Sequence, residues 1–451
     1  MKRVIITVFL LRIALSSPGL FAQEISWTLG DCVTYAIENN IELKRQKLQT
    51  ETAGVNLVKS KLDVLPSLNF GSDAQLGFGR SIDPVTNLIT FEQNFSNSYF
   101  LNSSIEIFSG FTTLNTISAN KFMMKAGLEN EKIAKNQLIL DITTQYFQSL
   151  YAKGVESASK VQLDLSERQL FRITRMVETG KEAVSKQYEI QSRASADRLN
   201  YTIAQNNTSQ ALTTLKQMLQ LEAGTAFDII QPDLDNIMTT APDYVTDSIF
   251  SIASNILPRL KAIEFELEAS KKQVSAAKGS LSPSLEVGGT VYTGYYQILT
   301  EGTPTQDSFS EQLKNNNSQA LYLTLAIPIF NNYVTGRNIK LARIRMNDTQ
   351  LKLELEKNNL YSEVENACLD FNRSVDENAA AVANLAFNKK SFAAVEKKFE
   401  SGLVDVTDYS AAQVTLFRAE TETLRTKLQL MFRKLTIDFI TTGDYEYIIN
   451  Q

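Results

Sequence analysis

Two thiols, Cys32 and Cys368, are the only sulfur nucleophiles in a chain of 451 residues, and histidine is absent altogether. Without histidine the chain lacks the commonest general base and the commonest nitrogen metal ligand. Two cysteines cannot build a zinc ribbon, an iron–sulfur cluster or a disulfide framework within one chain. Both sit in stretches that read as helix, where they count as small apolar residues and not as a bridge or a site. Aspartate and glutamate number 50, yet no spacing forces two carboxylates together as an acid–base pair. The phosphate-binding pattern GxxxxGK[ST], the dinucleotide pattern GxGxxG and the nucleophile elbow GxSxG are all missing. The expectation is a protein with no catalytic residues, no cofactor and no metal, so its chemistry must lie in what it encloses or contacts.

The elements that would do the enclosing begin after an export signal. Lys2 and Arg3 precede the apolar run Val4–Leu11, and small residues lead to Ala22, so 1–22 reads as a signal peptide. Removing it deletes Lys2, Arg3 and Arg12 and takes the formal charge from −5 to −8. An acidic exported protein offers no basic patch for nucleic acid. No later stretch reaches the roughly 18 to 20 apolar residues of a spanning helix. The mature chain is either soluble after export or crosses a membrane as β-structure.

Proline is absent between Val85 and Gln231 and again after Pro328, and glycine is sparse there. Proline costs a helix about 3 kcal/mol and glycine about 1 kcal/mol, so long helices can run in those regions. Leu138, Ile142, Tyr146 and Leu150 recur at four; Leu424, Leu428, Met431 and Leu435 at four, three and four. That is a narrow apolar stripe on a helix packed along its length. Gly180 and Gly402 stand where each helical stretch can stop and reverse into a hairpin.

The proline-bearing segments alternate instead. Leu68, Phe70, Ala74, Leu76 and Phe78 face one way, while Asn69, Asp73 and Gln75 face the other. Four strands are expected, at about 67–78, 100–108, 284–296 and 319–330. The segments between the paired strands, about 79–100 and 297–318, are rich in Asn, Ser, Thr, Asp and Gly and read as exposed loops. Tyr99, Phe100, Tyr292, Tyr295 and Tyr296 lie near the outer strand ends, where membrane proteins place an aromatic belt.

The chain also repeats itself. Ala36, Leu43, Lys44, Glu51, Pro66 and Ser67 recur as Ala253, Leu260, Lys261, Glu268, Pro283 and Ser284, an offset of 217. Past the first strand the offset becomes 222, which aligns Phe108-Ser-Gly-Phe111 with Phe330-Asn-Asn-Tyr333 and Glu178-Thr-Gly180 with Glu400-Ser-Gly402. The expected organisation is a signal peptide at 1–22, a first repeat at 23–230 and a second at 231–451. Each repeat is helix, strand, strand and long helical hairpin, with its tip near 180 or 402. Four strands are too few for a membrane barrel, which needs at least about eight. The chain is therefore expected to pool strands with further copies of itself. A pore-free exported coiled-coil or filament protein would explain the helices, but not two strand pairs at duplicated positions.

On these residues the chain resembles the TolC family of outer-membrane channel proteins. The resemblance rests on Trp27-Thr28-Leu29-Gly30-Asp31-Cys32-Val33 and on the paired Leu65-Pro66-Ser67-Leu68 and Ser282-Pro283-Ser284-Leu285. It is carried furthest by Ser401-Gly402-Leu403-Val404-Asp405-Val406-Thr407-Asp408. It implies a mostly α fold with a membrane β-barrel contribution, in which a homotrimer builds a 12-stranded barrel continuous with a periplasmic α-helical barrel. It further implies an exit duct in the bacterial outer membrane for a tripartite efflux pump or a type I secretion system. The implied partners are outer-membrane lipid, a periplasmic adaptor (membrane fusion) protein and an inner-membrane transporter. By the same resemblance Gly180, Val184, Ser185, Gly402, Leu403, Val404 and Thr407 are candidate adaptor contacts. Asp408 corresponds to an acidic ring at the periplasmic gate; Ala411 stands where a second such ring would be. Lys186 occupies the matching position past the first tip, which suggests a Lys186–Asp408 pair.

Overall fold

The computed structural model describes residues 26–82, 87, 89–222, 224–231, 244–299 and 307–443. The expected signal peptide at 1–22 lies outside them. In chain order the elements are β1 (Ser26–Trp27), α1 (Leu29–Asn39), α2 (Ile41–Leu62), β2 (Ser67–Ile82), β3 (Ile89–Ser109), α3 (Thr112–Glu178) and α4 (Val184–Met218). Then follow β4 (Asp228–Ile229), α5 (Thr246–Ile256), α6 (Pro258–Gly279), β5 (Ser284–Ile298), α7 (Phe309–Asn315), β6 (Ser318–Ala326), α8 (Val334–Glu400) and α9 (Val406–Thr442). The order helix, strand, strand, long helix, shorter helix thus occurs twice. The hairpin arms are unequal: 67 residues lead into each tip, and 35 or 37 lead away.

Two compact units cut across the repeats, each drawing on both halves of the chain. One comprises Met1–Gln46, Lys132–Pro258 and Lys357–Gln451; the other comprises Lys47–Glu131 and Arg259–Glu356.

The first unit is helical. Its core gathers Cys32, Val33 and Ala36 of α1, Ile139, Ile142, Tyr146 and Leu150 of α3, Leu215 of α4, and Leu428 and Leu435 of α9. The Thr28-Leu-Gly-Asp31 motif starts α1 as a capping box. The Thr28 hydroxyl accepts from Asp31 N–H at 3.1 Å, and the Asp31 carboxylate accepts from Thr28 N–H at 2.9 Å. The hydrogen bonds from the Thr28 side chain and backbone hold the Asp31 pKa below its usual value. Buried Tyr146 donates to the carbonyls of Trp27 (3.1 Å) and Ile230 (2.6 Å), fixing the short parallel β1–β4 pair. Cys32 is fully buried and its thiol is pushed up to about 12, chiefly by desolvation, so it stays protonated and inert. Cys368 is likewise buried and free.

The second unit holds a four-stranded antiparallel sheet in the order β2-β3-β5-β6. Its register sorts side chains onto two unlike faces. Even-numbered residues of β2 share a face with odd-numbered residues of β5, of β6 and of β3 up to Ile105. That face presents Leu68, Phe70, Leu76, Phe78, Leu101, Val291, Leu321, Leu323 and Leu325, all exposed. The opposite face carries Asn69, Asp73, Gln75, Ser96, Ser98, Glu106 and Glu286. Among the described residues the outer edges of β2 and β6 have no strand partner.

The structure corrects several expectations. The first pair is much longer than expected: β2 runs to Ile82 and β3 starts at Ile89, so most of 79–100 is strand and not loop. Gln93 and Asn97 fall on the same face as Phe91, Phe95 and Tyr99, which hid their alternation. The fourth strand ends at Ala326, two residues before Pro328, which has no N–H to give a ladder. The second loop, expected over 297–318, contains α7, started by a Ser308–Glu311 capping box. Gln312 of α7 accepts from Tyr296 N–H at 2.9 Å and donates to its carbonyl at 3.0 Å, covering the β5 edge beyond the end of β6. The five expected belt aromatics divide between faces. Tyr99 and Tyr295 lie on the apolar side; Phe100, Tyr292 and Tyr296 lie on the polar one. Phe100 is there to fill the space over Gly71, where a Cβ would come within 2.2 Å of its ring.

Candidate functional site at the helical tips

Both long helices of the first unit end in the same backbone motif, 222 residues apart. At the first tip Gly180 N–H donates to the Val177 carbonyl (3.0 Å) and Lys181 N–H to the Met176 carbonyl (2.8 Å). At the second, Gly402 N–H donates to Phe399 (3.0 Å) and Leu403 N–H to Lys398 (2.8 Å). These are Schellman turns, which require a left-handed residue, and φ is +72° at Gly180 and +73° at Gly402. A Cβ at either glycine would meet nothing within 4 Å, so the requirement is conformational and not steric. Gly180→Ala and Gly402→Ala should each cost about 1 kcal/mol, and asparagine should recover much of it. Thermal melts of the four variants check this; alanine variants as stable as the parent would contradict the turn assignment.

The return helices start differently. Asp405 caps α9 by accepting from Asp408 N–H at 2.9 Å, whereas Ala183, at the matching position, gives α4 no side-chain cap. The second hairpin is tied to the first by Thr407, whose hydroxyl donates to Glu189 at 3.0 Å. Beneath the turns Ile173, Ile190 and Val406 are buried against Leu170, Met176, Val177 and Phe399. Tyr409 stacks on Phe399 with ring centroids 4.6 Å apart.

The nine residues singled out in the sequence thus converge on two neighbouring turns of one unit. Gly180, Val184, Ser185, Gly402, Leu403 and Thr407 are exposed, and Val404 is half-buried. Leu403 stands 75% exposed and Val184 50%. Lys186 reaches Glu182, in the turn just before α4, at 3.7 Å. Asp408 is exposed at the start of α9, and no Lys186–Asp408 ion pair forms within the chain. Glu182 lies only four residues before Lys186, in the turn that leads into α4, within the reach of that lysine.

Sequence reasoning missed a buried polar layer above the tips. Asp197 of α4 is 1% exposed and accepts from Arg193 Nε at 3.1 Å and from the Ser166 hydroxyl of α3. Gln162, Ser166, Tyr409 and Gln413 are buried with it. Among the described residues Asp197 Oδ1 and the Gln162 and Gln413 amide nitrogens have no hydrogen-bond partner. An open cavity of about 310 Å³ borders Gln162, Arg193, Asp197, Asn200, Phe417 and Arg418. Polar residues on a polar-looking helix gave no signal of burial. Among the described residues no three metal-ligating side chains cluster, and no helix is long and apolar enough to cross a membrane.

Comparison with known proteins agrees with this geometry. The chain is 21% identical over 431 residues to outer membrane protein TolC of Escherichia coli (strain K12), covering 94% of this chain and 84% of that one. Its fold matches CusC, solved in a study of folding and transmembrane channel formation, with a TM-score of 0.78, 17% identity and 93% coverage of both chains. It matches the Campylobacter jejuni CmeC outer membrane channel with a TM-score of 0.77 and 17% identity, over 94% of this chain and 88% of that one. The sequence profile of the outer membrane efflux proteins fits residues 33–220 and 252–441, one match in each half, and the chain belongs to that family.

Proposed function

We propose that three copies of this chain close their sheets into one barrel, making an outer-membrane exit duct that passively conducts what an inner-membrane transporter and a periplasmic adaptor deliver. The observation that carries this reading is the sheet: one apolar face, one face with carboxylates, and two unpaired edges. In lipid an open edge leaves N–H and C=O groups unsatisfied at several kcal/mol each, so the four strands need further strands until the wall closes. Twelve strands leave a water-filled lumen, whereas eight are filled by their own side chains. The helices of the same unit have an unpartnered side too. Leu48, Val55 and Leu62 of α2 recur every seven residues and are more than half exposed, as are Ile344, Leu351 and Leu355 of α8. Such stripes suit helix packing between copies. Residues 23–230 and 231–451 are then two versions of one ancestral unit.

The tips are the periplasmic end of this duct. Exposed Leu403 and Val184 give the adaptor apolar footholds beside Gly180, Ser185, Gly402, Val404 and Thr407. Asp408 and Lys186 flank the opening, and between copies they can meet although within one copy they do not. Charge reversal at either position should raise single-channel conductance in a planar bilayer; unchanged conductance would remove them from the gate. The reading as a whole is tested by purifying the chain in mild surfactant. A particle of three copies that conducts ions supports it, and a monodisperse single copy refutes it.

A further inference from the structure

The two faces of the sheet differ in the sign of their charge as well as in polarity. Asp73, Glu106 and Glu286 all lie on the polar face. The apolar face carries a single charged residue among those described, Arg80 of β2. Its position is not central. β5 leaves the β3 ladder at Ile298, opposite Asn94, and β6 reaches only Tyr292 of β5. The β2–β3 hairpin continues alone to the Ile82–Ile89 pair, and Arg80 stands opposite Phe91 in that projecting part. Twelve residues separate Leu68 from Arg80, roughly 40 Å of strand. At the tilt usual for barrels this is roughly 30 Å along the membrane normal, past the end of an apolar band about 25 Å tall that starts at Leu68.

Around Arg80 the same face presents Phe78, Ile82, Ile89 and Phe91, each more than half exposed. Among the described residues no carboxylate pairs with Arg80. A guanidinium set in apolar side chains at the lipid boundary is favourable only where it snorkels to an anion that satisfies its planar fork. At the outer headgroup level that anion is a phosphate, which arginine binds in bidentate fashion. The flanking phenylalanines match the amphipathic residues that settle at this depth.

We propose that Arg80, with Phe78, Ile82 and Phe91, forms a binding site for a phosphate-bearing lipid of the outer leaflet, one per copy, that anchors the projecting hairpin. This rests on the reading above that the apolar face meets the bilayer. The test uses the full-length mature chain in vesicles of digalactosyl diacylglycerol, which carries no phosphate, doped with either bisphosphorylated or dephosphorylated lipid A, with retained lipid counted by native mass spectrometry. The parent protein should retain the phosphorylated lipid about tenfold over the dephosphorylated one. Arg80→Gln should abolish that preference while conducting like the parent, and Arg80→Lys should keep part of it. Equal retention of both lipids by the parent, or an undiminished preference in a conducting Arg80→Gln channel, overturns the site. Failure of the parent to float with vesicles at all would instead overturn the bilayer reading on which the site depends.

Discussion

Gly110→Ala should destabilise the sheet unit by about 3 kcal/mol or more and sharply reduce folded protein recovered from the membrane. Gly110 stands where β3 gives way to α3, buried, with φ at +62°. A Cβ there would lie 2.2 Å from the Gly279 carbonyl oxygen and 2.6 Å from Ser282 Cβ. Gly279 returns the contact: its own Cβ would sit 2.5 Å from the Gly110 carbonyl oxygen and 2.4 Å from the Thr112 hydroxyl. The end of α6 and the start of α3 therefore meet closely, and each glycine faces the other's backbone carbonyl, which cannot swing aside as a side chain can. Gly154→Ala makes an informative contrast. Its Cβ would come even closer, 2.0 Å, but to a terminal methyl of Leu424, which can change rotamer. Thermal unfolding of both variants separates the cases: the loss at 110 should clearly exceed that at 154, and equal losses would mean the junction has slack.

The same junction shows how far the sequence could be read. Phe108-Ser-Gly-Phe111 aligns with Phe330-Asn-Asn-Tyr333, and the backbone bears out the alignment. Gly110 and Phe111 both have positive φ, as do Asn332 and Tyr333. Asparagine is the residue that best replaces glycine in that conformation, so the duplication preserved a backbone geometry while the side chains diverged. The tips were legible for a related reason, since a helix that must reverse at Gly180 and Gly402 leaves a glycine where apolar periodicity ends. Strand extent was much less so. Period-two alternation marks a strand only while one face stays apolar, and Gln93 and Asn97 broke it without breaking the ladder. The Asp197 layer was invisible because burial of a polar side chain depends on what two other helices, α3 and α9, bring to it. Lys186 and Asp408 hold matching sequence positions in the two repeats, yet within the chain Lys186 reaches Glu182 instead, and no repeat alignment encodes that.

Whether the apolar face meets lipid is decided most directly at Leu101. This residue lies in the middle of β3, between Phe70 of β2 and Val291 of β5 on the apolar face. Leu101→Lys would set a charge there with no partner, at up to about 2 kcal/mol per copy for a position toward one end of the apolar band, and every copy in the ring would bear it. Folded, membrane-inserted protein should fall to a small fraction of the parent. Ser98→Lys is the control three residues away. It projects to the other face, directly opposite Asp73, where water and an opposite charge are both at hand. That variant should insert normally and should shift ion selectivity away from cations, because it adds positive charge to the lumen wall. Heat-resistant oligomer on gels reports insertion, and reversal potentials across a salt gradient report the wall charge. If Leu101→Lys inserts as well as Ser98→Lys does, the apolar face is covered by protein and not by lipid. The sheet would then be the core of a soluble assembly, because a bilayer would not tolerate lysine at that position and a repackable protein interface could.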